Sequence, residues 1–110
     1  MWLFTRYGFF SVVWKRDRIQ IRARCRRHLE SLKKRFPFLL GGILELPDAD
    51  YRYRVETDRE SWIATAGDLA AEIDYGNFKE EVGHRFGAGD DYVGLLHEVW
   101  DLGYEYQQRF

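Results

Sequence analysis

Hydrophobic and polar positions alternate most regularly over residues 51–57, where Tyr51, Tyr53, Val55 and Thr57 fall on one side of a two-residue period and Arg52, Arg54 and Glu56 on the other. That is the pattern of a strand with one face on the core and one charged face, so both tyrosines are expected to point inward. Thr57-Asp58-Arg59-Glu60 then follows in the order of a capping box, with Thr57 as the cap residue and Glu60 reaching back to it. Beyond it the period changes to that of a helix, with Trp62, Ile63, Ala66, Leu69, Ala70 and Ile73 on an apolar stripe. Asp74-Tyr75-Gly76-Asn77 breaks the stripe with turn residues. Asn77 is suited to cap the next helix, with Tyr75 and Phe78 pinning it to the core.

On the N-terminal side, residues 2–5 and 9–14 are aromatic and β-branched and read as strand, with Gly8 as a bend or bulge between them. The polar tetrad Lys15-Arg16-Asp17-Arg18 suits a hairpin turn. A second strand follows, in which Ile19, Ile21 and Ala23 alternate with Gln20, Arg22 and Arg24. Cys25, Leu29, Leu32 and Phe36 keep helical spacing opposite a basic face, and Pro37 closes that helix. Cys25 is read there as a small buried hydrophobe. A short strand at 43–46 leads through a turn at 47–50 into the strand at 51–57. Past the turn at Asn77, Phe78, Val82 and Phe86 form a helical stripe that ends at Gly87. Asp90 or Asp91 caps a last helix, in which Tyr92, Leu95, Leu96, Val99, Leu102 and Tyr106 share a face.

The resulting fold class is α+β: a four-stranded antiparallel sheet with helices packed on one face, a permuted ferredoxin-like plan with added C-terminal helices. In that plan the strand at 19–24 lies beside the strand at 51–57, and their charged faces meet on the side away from the helices.

The chain has 110 residues, which suits a single domain over 1–110. Aromatic residues make up 17%, more than so small a core needs, which places some of them at an interface or groove. No apolar run reaches membrane-spanning length, so no membrane partner is expected. The opening MWLFTRYGFFSVV leads into seven further basic residues before His28 and lacks a cleavage site, so it does not read as a signal peptide, and a cytoplasmic location is expected. Net charge is only -1, but the signs are segregated: residues 1–36 hold eleven Lys/Arg against Asp17 and Glu30, and residues 37–110 hold six against sixteen Asp/Glu. Either the basic third forms a surface for an anionic partner, or the two parts pack side by side and neutralise each other.

Little in the chain has the spacing of reaction chemistry. His28, His84 and His97 lack the i, i+3 or i, i+4 relation that would set two metal ligands on one helix face. Gly41-Gly42 and Gly87-Ala88-Gly89 lack the pattern of a phosphate loop, so no cofactor is implied. The charged sheet face is the main candidate, with Arg18, Arg22, Arg24, Arg52 and Arg54 as binding residues and Phe10 and Trp14 as aromatic neighbours for stacking bases. A secondary candidate pocket is formed by Tyr75, Asn77, His84 and His97.

MWLFTRYGFFSVV, Ala49-Asp50-Tyr51-Arg52-Tyr53-Arg54, Ile73-Asp74-Tyr75-Gly76-Asn77-Phe78-Lys79 and His97-Glu98-Val99-Trp100 together resemble the marks of a family of small uncharacterised bacterial proteins. The resemblance covers most of the chain, implies a bacterial, cytoplasmic origin and carries no activity with it. The expected function is therefore a small interaction or regulatory module without catalysis, joined to a protein partner or to a second copy through its sheet. Single-stranded nucleic-acid binding through the arginine-rich face is the alternative, and an enzyme around the candidate pocket is a third reading.

Overall fold

The change of period at Thr57 is where the chain passes from sheet to helix, and the elements on either side follow the sequence pattern closely. The computed structural model describes all of residues 1–110. Its elements are β1 (Trp2–Thr5), β2 (Gly8–Lys15), β3 (Arg18–Ala23), α1 (Arg26–Arg35), β4 (Leu44–Glu45), β5 (Tyr53–Thr57), α2 (Arg59–Ala71), α3 (Phe78–Phe86) and α4 (Asp91–Gln107). Contacts gather into two compact units, Met1–Ile73 and Asp74–Phe110.

The first unit is α+β, with an antiparallel sheet in the order β1-β2-β3-β5-β4. It has five strands where four were expected, because Gly8 is part of a full reversal. Thr5 caps that reversal: its hydroxyl oxygen accepts the N–H groups of Tyr7 and Gly8 at 3.1 and 3.2 Å and donates to the Gly8 carbonyl at 2.8 Å. Gly8 has φ +147°, a conformation that side chains other than hydrogen rarely adopt. Residues 2–5 therefore fold back on 8–11 as a separate edge strand.

The β2–β3 turn forms at the expected tetrad with Arg16 and Asp17 at φ 53° and 60°. A two-residue hairpin loop needs positive φ at both central positions to match the strand twist, and here the chain meets that need without glycine. Between β3 and β5 the register is antiparallel with Ile21 opposite Val55 and Arg22 opposite Arg54, which is the expected neighbourhood. The short strand is Leu44–Glu45, narrower than 43–46.

Phe10, Val12, Ile19, Ile21, Ala23 and Val55 face the helices and form one core with Leu29, Leu32 and Phe36 from the region of α1 and Trp62 from α2. Burial of those side chains larger than the Ala23 methyl contributes about 2 kcal/mol each. Cys25 departs from expectation: it is the extended N-cap residue of α1 and only half-buried. On α2 the cap is one residue later than the capping box implied. Thr57 still pairs with Ile19 as a buried strand residue, and the Asp58 carboxylate accepts the Ser61 N–H at 2.7 Å and its hydroxyl at 3.2 Å. The buried stripe of α2 is Trp62 and Thr65 with Ala66 and Leu69 partly buried, while Ile63 is 62% exposed. Ile63 lies about 100° around the helix from Trp62, outside the stripe that the sheet can cover.

In the second unit Asn77 caps α3 by accepting the Glu80 N–H at 3.0 Å, and Tyr75 contacts Phe78 with ring centroids 5.8 Å apart. Gly87, at φ 100°, ends α3, and Asp90 caps α4 by accepting the Tyr92 N–H at 2.9 Å. Only Tyr92, Val93 and Leu96 of α4 are buried. The longer stripe expected through Tyr106 continues as exposed surface. No helix is long and apolar enough to cross a membrane.

Candidate functional site

The sheet register decides what lies on the face away from the helices. With Val12, Ile21 and Val55 pointing inward, Ser11, Gln20, Arg22, Arg54 and Glu56 point outward. A single row across all five strands reads Trp2, Ser11, Arg22, Arg54, Leu44. Arg22 and Arg54 stand directly opposite each other, and like charges in that relation repel.

Their hydrogen bonds all go to neutral groups. Arg22 donates to Ser11 Oγ at 2.7 Å, while Arg54 donates to the Tyr51 carbonyl at 2.9 Å and, at 3.5 Å, to Gln20 Oε1. The Nε of each is buried without a hydrogen-bond partner. Glu56 is the one carboxylate that β3 and β5 carry on this face, and it accepts from Gln20 Nε2 at 3.3 Å. Ion pairs form elsewhere in this unit, from Arg26 to Glu30 and from Arg35 to Glu72. The cationic pair is thus held in place by neutral acceptors without a direct ion pair, and Arg54 reaches Glu56 only through Gln20.

Tyr51 departs from the expectation that it joins the core beside Tyr53. It is 4% exposed, but its ring lies under the guanidiniums of Arg22 and Arg24, whose central carbons stand 4.5 and 4.3 Å from the ring centroid. Phe9, stacked on Phe4, lies 6.4 Å from it. The strand begins only at Tyr53, so the alternation does not extend back to Tyr51. Two cation–π contacts, each about 1 kcal/mol, reward the ring for turning to the arginine side. Asp50 fixes the bend: its carboxylate accepts the Tyr51 N–H at 2.8 Å and its carbonyl accepts from Arg24 at 2.8 Å.

Of the five arginines marked in the sequence, Arg22, Arg24 and Arg54 gather around Tyr51. Arg18 starts β3 and Arg52 precedes β5, and both are exposed. The aromatic residues expected to accompany them do not. Phe10 is in the core, and Trp14 lies on the helix side, opposite Ile19 and under Arg59 of α2 at 4.7 Å. The register sends even-numbered positions of β2 inward, so the outer aromatic residues are Trp2, Phe4 and Phe9. Sequence reasoning missed Ser11, Gln20 and Tyr51 as the groups that hold the arginines. A serine and a glutamine interrupting apolar strands were the available signal for the first two.

The second candidate locus is an open groove of about 460 Å³ in the helical unit. Asn77, His84 and His97 line it together with Lys79 and Glu80, whereas Tyr75 does not. Asn77 is occupied as a helix cap, and both histidines stand exposed. No group of three or more His, Cys, Asp or Glu is placed to hold a metal ion. No family model, curated protein or solved structure matches the chain.

Proposed function

We propose that the protein is a small interaction module without catalytic activity, which associates with a second copy of itself through the outer face of its sheet. The observation that carries this reading is the Arg22–Arg54 pair: two half-buried guanidiniums opposite each other, bonded to neutral acceptors and making no direct ion pair. Such an arrangement costs stability in the isolated chain and is relieved by an acidic surface laid over it. The chain itself has a surplus of carboxylates, since residues 37–110 hold sixteen against six Lys/Arg. We further read β2-β3-β5-β4 with α1 and α2 as the permuted ferredoxin-like plan, with β1 added at its edge. The bacterial family named above, with its cytoplasmic setting, fits this reading and adds no activity to it.

Sedimentation equilibrium over a range of concentrations tests the proposal. Association is expected to strengthen as salt is lowered, because the contacts are between opposite charges. A strict monomer at millimolar concentration and low salt would remove it.

A second reading, binding of single-stranded nucleic acid, is favoured by Trp2, which is 69% exposed in the same row as Arg22 and Arg54. It is weakened by the inward positions of Phe10 and Trp14, which leave few rings for bases to stack on. It predicts salt-dependent binding of short oligonucleotides, lost in the variant R22E/R54E. No binding at low salt excludes it.

A further inference from the structure

We infer that the part of the second copy that covers the outer sheet face is the free half of its α4, lying with its apolar stripe on β1 and β2 and its acidic stripe toward the arginines of β3 and β5. This rests on the self-association proposed above and names the surface that meets the sheet.

The inference starts from a mismatch of lengths. α3 has nine residues and α4 seventeen, which is about 14 Å against about 25 Å of helix. The two run antiparallel: Phe86 meets Tyr92 at one end, and Lys79 lies over Trp100 at 4.9 Å at the other. Past Trp100, α4 has outrun α3. Leu102 is 64% exposed there, and Tyr106 is exposed as well.

The exposed side of α4, which begins at Leu95 and runs on into that overhang, has two stripes. Leu95, Val99, Leu102 and Tyr106 follow one another at intervals of four, three and four, which places them along one line of the helix. Glu98, Asp101 and Glu105 form a second line at intervals of three and four, about 100° to one side. No Lys or Arg occurs within α4 to neutralise it. Pairing two such helices antiparallel on their apolar stripes would set carboxylates against carboxylates, and a parallel pair would leave both acidic lines without a cation, so a second α4 is a poor cover for the first.

The sheet face is divided in the matching way. Its β1–β2 side presents Trp2, Phe4 and Val13, and its β3–β5 side presents Arg22, Arg24 and Arg54 against the single carboxylate of Glu56. A helix set along the strands can bury an apolar stripe on the first side while its flanking carboxylates reach the second. Helix on sheet is also the standard way to cover an open antiparallel face. The contact joins unlike surfaces, so two copies exchanging α4 close a two-fold dimer and a one-way contact propagates a chain.

Charge reversal in the full-length protein provides the test. One variant is R24E/R54E, in which the carboxylate introduced at position 54 faces Arg22 and should leave the sheet intact. The other is E98K/D101K/E105K, confined to exposed positions of α4. Each alone should lose association by roughly tenfold or more at low salt, and an equimolar mixture should restore it, because each reversed surface then meets its complement in the other protein. L102D, at an exposed site, should weaken association without lowering the melting temperature. Wild-type association that survives the α4 changes, or a mixture that fails to regain it, overturns the inference while leaving self-association through the sheet standing. A wild-type protein that never associates removes both.

Discussion

Gly8 carries more of the fold than its size suggests. At φ +147° it reverses the chain between β1 and β2, and a Cβ there would lie within 2.3 Å of His28 Cγ, 2.4 Å of its Cβ and 2.8 Å of its Nδ1. The approach is needed because the N–H of Phe9 donates to His28 Nδ1 at 3.2 Å, tying the turn to α1. Gly8→Ala should therefore destabilise the protein by about 3 kcal/mol or more, measured as a fall in ΔG from urea unfolding. Arg54 makes the opposite case. Its charge opposes Arg22, and its hydrogen bonds are to neutral groups, so Arg54→Leu should hold stability within about 1 kcal/mol of the parent or raise it. The same substitution should weaken self-association. A residue that is dispensable for folding and necessary for binding would have its reason in the interface, and a joint measurement of unfolding and sedimentation distinguishes the two roles.

At the scale of elements, the helix ends were the most legible features and also the easiest to misplace by a residue. The Thr57-Asp58-Arg59-Glu60 pattern announced the start of α2 correctly, but the cap moved to Asp58 because Thr57 had already been claimed by the ladder to β3. Hydrogen bonds from the Ser61 backbone and then from its hydroxyl hold the Asp58 carboxyl below its ordinary range. A lowered folded-state value means that the charged form is favoured by folding. Its contribution is complete above the unfolded value, about 4, and is lost as pH falls through the folded one. Asp58→Ala should lower the melting temperature at neutral pH, and the gap to the parent should close as pH drops below about 4. An undiminished gap in acid would show that the cap does not act through its charge.

At the scale of the molecule, the division of contacts assigns the whole buried core cluster to residues before Ile73. That cluster brings together three strands and two helices, enough for a cooperative fold, whereas the two-helix unit buries Val82, Tyr92, Val93 and Leu96. A fragment of residues 1–73 should melt cooperatively by circular dichroism and give dispersed amide resonances. A broad, non-cooperative melt would mean that the sheet depends on the helices that follow it. The same scale governs the charge pattern. A basic first third and an acidic remainder were visible in the sequence, but whether the opposite charges neutralise each other depends on which side chains the fold brings within reach. Arg35 and Glu72 meet, while Arg22 and Arg54 are left with dipoles.

The sequence by itself determined the element types, the α1 and α3 helices and the Asn77 cap, narrowed the α4 cap to Asp90 or Asp91, and set the 19–24 strand beside the 51–57 strand. All but the strand pairing rest on periodicity or on a hydrogen bond within three residues, which neighbouring letters encode; the pairing followed from the few topologies that such an order of elements allows. Tertiary structure alone decided the fifth strand, the turning of Tyr51 to the outer face and the separation of Phe10 and Trp14 from the arginines. The first depends on a glycine conformation stabilised by a side chain nineteen residues away from Phe9. The second depends on Arg22 of β3 and Arg24 just beyond it, and the third on a register fixed by a neighbour's apolar face. No local pattern specifies a partner that is distant in the chain, and for that reason the direct opposition of Arg22 and Arg54, and the neutral groups that hold them, came only from the register of β3 and β5.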